Sequence, residues 1–367
     1  MKRDLPISDP LLAQALAAET ALDQAHEARR QGELALALAH AQSAHALAPL
    51  AGLRAAAGLL ACFCHHRLGQ HRLLLPLGEG LLALVNDPAS RLQLLRWLVL
   101  AAAETGHFDL AQRLGAEAMD LATQDADPGV MTQVRQAVAL CFERMGDPWR
   151  AERLLSDGLA QAEGQPTAHP LLSTLQQLAQ TSIDEFHLMP HRPPHRPADA
   201  DNDSLSRATA YVRRAQALAQ RVGDAHFHGF LDGLLGEALL HHGQVDEAWP
   251  LLERALCQAQ AHGLLAMGLR IECTLAEGLL RRQQPQAAIT RLQGLLGLMG
   301  DAAEPLPPTL QQRAHRAMAR ACRAVGQPER ATMHQAQADR LLAAQASWAL
   351  NLPTLTTPAN LPPETAA

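Results

Sequence analysis

Cys62-Phe-Cys64-His65-His66 is the densest group of metal-ligating side chains in the chain. Cys62 and His66 stand four residues apart, which puts thiol and imidazole on one helical face, a zinc-type donor pair. No second pair follows at a matching spacing, and Cys62 falls where close helix packing needs a small side chain, so the expectation is a core thiol. His187, His191 and His195 recur every four residues, but Pro193 and Pro194 interrupt the second interval and keep one helix from aligning all three. Asp199, Asp201 and Asp203 alternate as at the start of a calcium loop. Ser204 stands where that loop needs Gly, and Ala210 where it needs a bidentate Glu. There is no phosphate-cradling Gly-rich loop, no Gly-x-Ser-x-Gly elbow, no His-Glu-x-x-His and no kinase set. The expectation is therefore no enzyme, no cofactor and no metal.

A different order marks Arg313, Arg316, Arg320 and Arg323, spaced by 3, 4 and 3 residues. Such spacing predicts one helical face, and four like charges on it predict an anion-binding stripe facing a partner. Asp301 and Glu304 are the acidic groups of the chain nearest in sequence that could capture it instead.

Composition restricts the scaffold that positions these groups. With 70 Ala and 66 Leu among 367 residues and only 3% aromatics, strand-based folds are excluded. Basic residues number 31 and acidic 37, a net charge of −6 without long runs, which gives no footprint for nucleic acid. No run of about 18 uncharged apolar residues predicts a membrane span. The N-terminus lacks an apolar signal core. Cys62, Cys64, Cys141, Cys257, Cys273 and Cys322 all fall in helical segments as reduced thiols. These features predict a cytoplasmic protein, and the Arg-for-Lys and Ala bias points to a bacterial source.

A turn recurs along the chain: Gly, a few polar residues, then Ala opening an apolar helix. It begins at Gly32, Gly106, Gly146, Gly243 and Gly326, with weaker copies at Gly69 and Gln283. Successive starts lie 37, 37 and 40 residues apart up to Gly146, and 40 and 43 apart from Gly243 onward. The 97 residues between Gly146 and Gly243 fit two intervals stretched by an insertion. Gly permits the left-handed conformation that ends a first helix, and Ala leaves room for the second to cross it closely. Leu235-Gly236 and Leu239 precede Gly243, with Ala248, Leu252 and Ala255 after it. Leu275-Ala276 and Leu279 precede Gln283, with Ala288, Leu292 and Leu295 after it. Ala37, Ala41, Ala44 and Pro49 complete the first copy.

These residues resemble the tetratricopeptide repeat, over residues 10–346, in the longer-period form of bacterial regulatory proteins. The chain departs from the family in its period, in Leu and Ala replacing the large aromatics, and in Pro76, expected to interrupt the second helix of its unit. The resemblance implies an all-α fold, a superhelical stack of about eight antiparallel helical hairpins. Residues 1–188 would form its first part, 189–203 a Pro-rich loop within the fifth unit, 204–346 its second part and 347–367 a disordered tail.

In such stacks the first helices line the concave groove, where the resemblance places peptide ligands. The polar residues there are Arg29, Arg96, Glu104, Gln136, Arg144, Glu237, His241, Glu277, Arg281, Arg313, Arg316, Arg320 and Arg323. Chaperone-binding members use a Lys and Asn clamp in the first two units, where this chain has Leu22, His26, Leu59 and Phe63. The function implied is a non-catalytic scaffold for a protein or peptide segment. The alternative is a regulatory or sensory module that controls a separate effector, a transcription factor or nucleotide cyclase, in response to a peptide or small ligand.

Overall fold

The computed structural model describes residues 10–124, 128–163, 168–188, 203–223, 227–262, 264–301 and 306–351. Among them there are sixteen α-helices and no strand. The chain divides into two compact units, Met1–Gln124 and Asp125–Ala367. The first unit holds three hairpins: α1 (Pro10–Arg30) with α2 (Leu34–Leu47), α3 (Ala51–Arg67) with α4 (His71–Leu81), and α5 (Pro88–Glu104) with α6 (Phe108–Thr123). The second holds five: α7 (Pro128–Arg144) with α8 (Pro148–Glu163), α9 (His169–Leu188) with α10 (Ser204–Val222), α11 (His228–His241) with α12 (Val245–Ala261), α13 (Leu265–Arg281) with α14 (Pro285–Asp301), and α15 (Pro308–Ala324) with α16 (Pro328–Asn351).

The turns explain why the chain folds back where it does. All seven recurring turn residues have positive φ, the glycines from Gly69 at 70° to Gly243 at 92°, and Gln283 takes 58° without the freedom of glycine. At each, the amide of the next residue donates to a carbonyl five residues back, as Gln244 to Leu239 (2.9 Å) and Gln284 to Leu279 (2.9 Å). This bond satisfies one of the carbonyls that a helix end leaves orphaned, so the turn is locally specified. Seven of the helices begin at Pro, whose missing amide costs nothing there. Asp203 caps α10: its side chain accepts from the Ser206 amide. Inside a hairpin, Gly236 of α11 lets α12 approach: a Cβ there would lie 2.8 Å from Leu252 Cγ.

Two expectations need correction or placement. Pro76 does not break its helix: α4 continues through it to Leu81, and α12 likewise carries Pro250. Both prolines follow the turn glycine by seven residues and are exposed, so water serves the carbonyl that loses its partner. Residues 189–202 and 352–367, with His191, His195, Asp199 and Asp201, lie outside the described residues, and α16 runs past the compositional change at Ser347. No helix among the described residues is long and apolar enough to cross a membrane.

Layering follows from which helices touch. In the second unit α7 packs on α9, α9 on α11, α11 on α13 and α13 on α15, so the first helices form one inner layer. The second helices contact chiefly their neighbours in sequence and form the outer one.

Candidate functional site

Counting back from the turn residue aligns the inner helices. Six residues before Gly243 and Gln283 stand Glu237 and Glu277; thirteen before Gln283 and Gly326 stand Arg270 and Arg313. Each of these arginines meets the glutamate of the preceding hairpin: Arg270 Nε donates to Glu237 Oε2 (2.7 Å), and Arg313 donates to Glu277 Oε2 (2.9 Å). The same pairing therefore repeats at two successive junctions. Arg313 also spans two hairpins to Glu237 Oε1 (2.5 Å) and donates to Thr274 Oγ1 (3.2 Å).

The network extends to both sides. Arg270 pairs with Asp184 of α9 (2.8 Å), His187 of α9 lies 3.3 Å from Glu237, and His241 of α11 lies 3.3 Å from Glu277. The two imidazoles meet edge-on at 4.7 Å between centroids, and Phe186 covers His241 at 5.0 Å. Arg316 of α15 donates to the main-chain carbonyl of His187 (3.1 Å), which joins the eighth hairpin to the fifth. On α9, Thr181 donates to Glu143 of α7. Five inner helices thus carry one run of polar contacts, in which three carboxylates, Asp184, Glu237 and Glu277, share two guanidinium groups, Arg270 and Arg313.

Burial sets the protonation. Glu237 is 2% exposed, which alone would raise its carboxyl; Arg270 and Arg313 reverse this and hold it well below the usual range. Glu277 is held low in the same way, chiefly by Arg313. Burial pulls His187 down to about 3, with Arg313 adding to the effect, so its imidazole is neutral. Glu143 has no cation of comparable weight, and burial pushes it up to about 7. Its Oε2 and the Nε of Arg313 are buried without a hydrogen-bond partner among the described residues.

The predicted set is divided by the fold. Glu237, His241, Glu277, Arg313 and Arg316 converge; Glu237, Glu277 and Arg313 are buried in the process and pair with one another. The arginine stripe does not stay on one face. Arg313 is buried, Arg316 half-buried, and Arg320 and Arg323 exposed, with Arg323 turned to Gln335 of α16 (2.8 Å). Ten residues of helix advance about 1000°, roughly 80° short of three turns, which accounts for the drift. The groups that capture Arg313 among the described residues are Glu237 and Glu277; Glu304 and the side chain of Asp301 lie outside them. Gln136 bridges α7 to Ser173 and Thr174 of α9 (2.9 Å each). Arg144 is half-buried at the end of α7, and Arg281 is exposed at the end of α13. In the first unit Arg96 and Glu104 are half-buried on α5, and exposed Arg29 lies over the Phe63 ring (5.6 Å). Asp184, His187, Thr181, Glu143 and Arg270 had not been anticipated as groove residues.

His187, His241 and Glu277 bring three ligand atoms within 4.8 Å of one another, a donor set able to hold a metal ion. Arg313, 2.9 Å from Glu277, already supplies a cation at that point, and its charge opposes a second one. At the Cys62 cluster, burial pushes the Cys62 thiol up to about 12 and pulls His66 down to about 4, as for packed core groups.

No protein-family model matches the sequence, and no curated protein does. Solved structures do share its fold. The Rap conjugation gene regulator of plasmid pLS20, in complex with the Phr* peptide, superposes with a TM-score of 0.61 at 12% identity, over 92% of this chain and 98% of that one. A Rap protein complexed with Competence and Sporulation Factor gives 0.56 at 11%, over 92% and 99%. A signal-transduction ATPase with a tetratricopeptide repeat sensor from Pyrococcus horikoshii gives 0.52 at 10%, over 94% of this chain and 51% of that one. At such identities the likeness is one of fold: the chain is a tetratricopeptide-like helical repeat protein.

Proposed function

We propose that the second unit is a non-catalytic scaffold that binds a peptide or protein segment along its inner helices, in the bacterial cytoplasm. The observation that carries this reading is the polar system shared by α7, α9, α11, α13 and α15. Buried charge is a poor way to stabilise a fold, because desolvation offsets most of the attraction. It also leaves an acceptor on Glu143 and a donor on Arg313 without partners, the two kinds of group that a peptide backbone complements. One fold neighbour was solved with a peptide, Phr*, which supports the same ligand class here.

The regulatory form of this reading has one observation in its favour. A network that ties five helices together changes the arrangement of all five when a ligand competes for any member, so binding would be transmitted to an effector. A randomised dodecapeptide pool panned on the full chain, with wild type compared with the Arg316→Glu/Arg320→Glu variant, tests the proposal. Enrichment on wild type that the variant loses while its circular dichroism stays that of the folded chain is expected, with a melting temperature lowered by the lost Arg316 bond to His187. No enrichment on wild type, or equal enrichment on both, would remove the groove as the binding site.

A further inference from the structure

The first helices of the first unit hold two half-buried arginines, both on α5, and only one of them is paired. Arg91 donates to Glu117 of α6 (2.6 Å). Arg96 makes no hydrogen bond or ion pair among the described residues, and its Nε is buried. It stands ten residues before the turn at Gly106, the register that Gln136 holds before Gly146 and Arg316 before Gly326. Those two each reach another inner helix, Gln136 at Ser173 and Thr174 (2.9 Å each) and Arg316 at the main-chain carbonyl of His187 (3.1 Å). Burial lowers the Arg96 guanidinium to about 10. At Arg270 and Arg313 the same burial is outweighed by carboxylates, which raise both.

A second orphaned group lies with it. α3 packs on α5, and His66 near the end of α3 stacks on Trp97, the residue after Arg96, at 6.4 Å between centroids and 28° between planes. Burial, His71 and the Arg96 charge together keep the His66 imidazole neutral. Its Nδ1 is buried without a hydrogen-bond partner among the described residues. His71 lies 6.3 Å from His66 and Phe63 lies 6.1 Å from Trp97, ring centroid to ring centroid. The other charges that act on His66 are Arg67, exposed at the end of α3, and Glu104. Glu104 stands eight residues along α5 from Arg96, a rise of about 12 Å, and does not pair with it.

Leaving a guanidinium nitrogen and a ring nitrogen buried without partners costs stability, and a ligand that fills both recovers it. Charge and shape select the ligand. One buried guanidinium beside a neutral imidazole balances a single negative charge, and its planar fork matches the two oxygens of a carboxylate; a phosphate dianion would be left half-neutralised. We propose that Arg96 and His66 form a carboxylate-binding site between α3 and α5 of the first unit, in which the guanidinium donates to the carboxylate oxygens and the Nδ1–H of His66 donates to one of them. The C-terminus of a peptide and the side chain of an Asp or Glu present the same oxygens, so both are sources of this group. The site uses no residue of the second unit and stands or falls apart from the peptide-binding reading there.

Titration calorimetry of the full chain with N-acetylated Ala-Ala-Leu-Ala-Ala peptides tests the site. One peptide keeps its free C-terminus, a second is amidated and carries Glu in place of Leu, and a third is amidated with no acid. Wild type is expected to bind an acidic peptide about tenfold more tightly than the acid-free one, and the acidic peptide that gains identifies the source of the carboxylate. Arg96→Met is expected to lose that preference and Arg67→Met to keep it. Met retains the stem and removes the uncompensated charge, so without ligand the Arg96→Met chain is expected to melt at or above the wild-type temperature; Arg96→Gln serves for the titration if Met lowers the yield of folded protein. Equal or absent binding of all three peptides by wild type overturns the site, as does a preference that survives in Arg96→Met or disappears in Arg67→Met. A melting temperature lowered by more than about 3 °C in Arg96→Met overturns it as well, because the guanidinium would then be satisfied within the chain. Inorganic phosphate bound more tightly than both acidic peptides overturns the choice of carboxylate.

Discussion

Six residues before their turns, the three hairpins of the first unit carry His26, Phe63 and Leu100; thirteen before, they carry Glu19, Ala56 and Gln93. At the same registers the last hairpins of the second unit carry Glu237 and Glu277, Arg270 and Arg313. The first helices of the first unit bury small side chains instead, Ala18, Ala21, Ala25 and Ala28 on α1 and Ala57, Gly58, Ala61, Cys62 and Cys64 on α3. One hairpin design thus accommodates two interfaces. Alanine contacts bury apolar area with little side-chain entropy lost. The ion ladder contributes little net stability but fixes which charge meets which, and breaking one pair leaves its partner stranded.

The largest test of this contrast is Glu237→Ala, which leaves Arg270 and Arg313 facing each other without a shared carboxylate. It is expected to lower the unfolding free energy by about 3–5 kcal/mol, while His26→Ala at the same register of the first unit should change it by no more than about 0.5 kcal/mol. Chemical denaturation of both variants checks this, and equal losses would mean that the ladder is no different from ordinary packing.

Next in size is Glu143→Gln, whose effect depends on pH. The folded carboxyl titrates near 7 against 4.5 for an ordinary Glu, so its protonated form stabilises the fold fully below about 4.5 and that contribution is lost as pH rises through 7. Gln keeps the neutral form: at pH 8 the variant should be more stable by on the order of 3 kcal/mol, a gain that vanishes near pH 4.5. Glu237 and Glu277 have the opposite sign. Their depressed values stabilise the fold above about 4.5, and that contribution drains away as acid protonates them. A flat difference between Glu143→Gln and wild type across this range would show that Glu143 is already solvated.

The turns, common to both units, should respond by smaller amounts. Gly243→Val forces a branched side chain to φ of 92° and should cost about 1–2 kcal/mol through backbone strain alone, since a Cβ there meets nothing within 4 Å. Gln283→Gly relieves the same strain and should raise the melting temperature, by about 1 kcal/mol of stability. The smallest effect belongs to Arg320→Ala, exposed and expected within about 0.5 kcal/mol of wild type; a larger loss would place Arg320 inside the ladder.

The hairpins were legible in the sequence because each turn is closed by bonds within six residues, and even Gln283, where glycine is missing, announced itself by the Ala and Leu spacing after it. The groove was legible in part. Glu237, Glu277 and Arg313 were chosen as polar residues on inner helices, but Arg313 finds its partners 36 and 76 residues away, and periodicity within one helix carries no record of that distance. His187 was judged against His191 and His195, its neighbours in sequence, when its neighbour in space is His241. The signal that would have found the ladder is the common register counted from the turn residues, which needs the turns to be identified first.

Arg320 gives the ladder its end. It stands six residues before Gly326, the position that Glu237 and Glu277 hold in the two preceding hairpins. A further hairpin in the same register, presenting its own arginine thirteen residues before its turn, would meet a cation there. A unit with the same two residues could be inserted between α11 and α13 or between α13 and α15, because those two joins offer the same complementary pair.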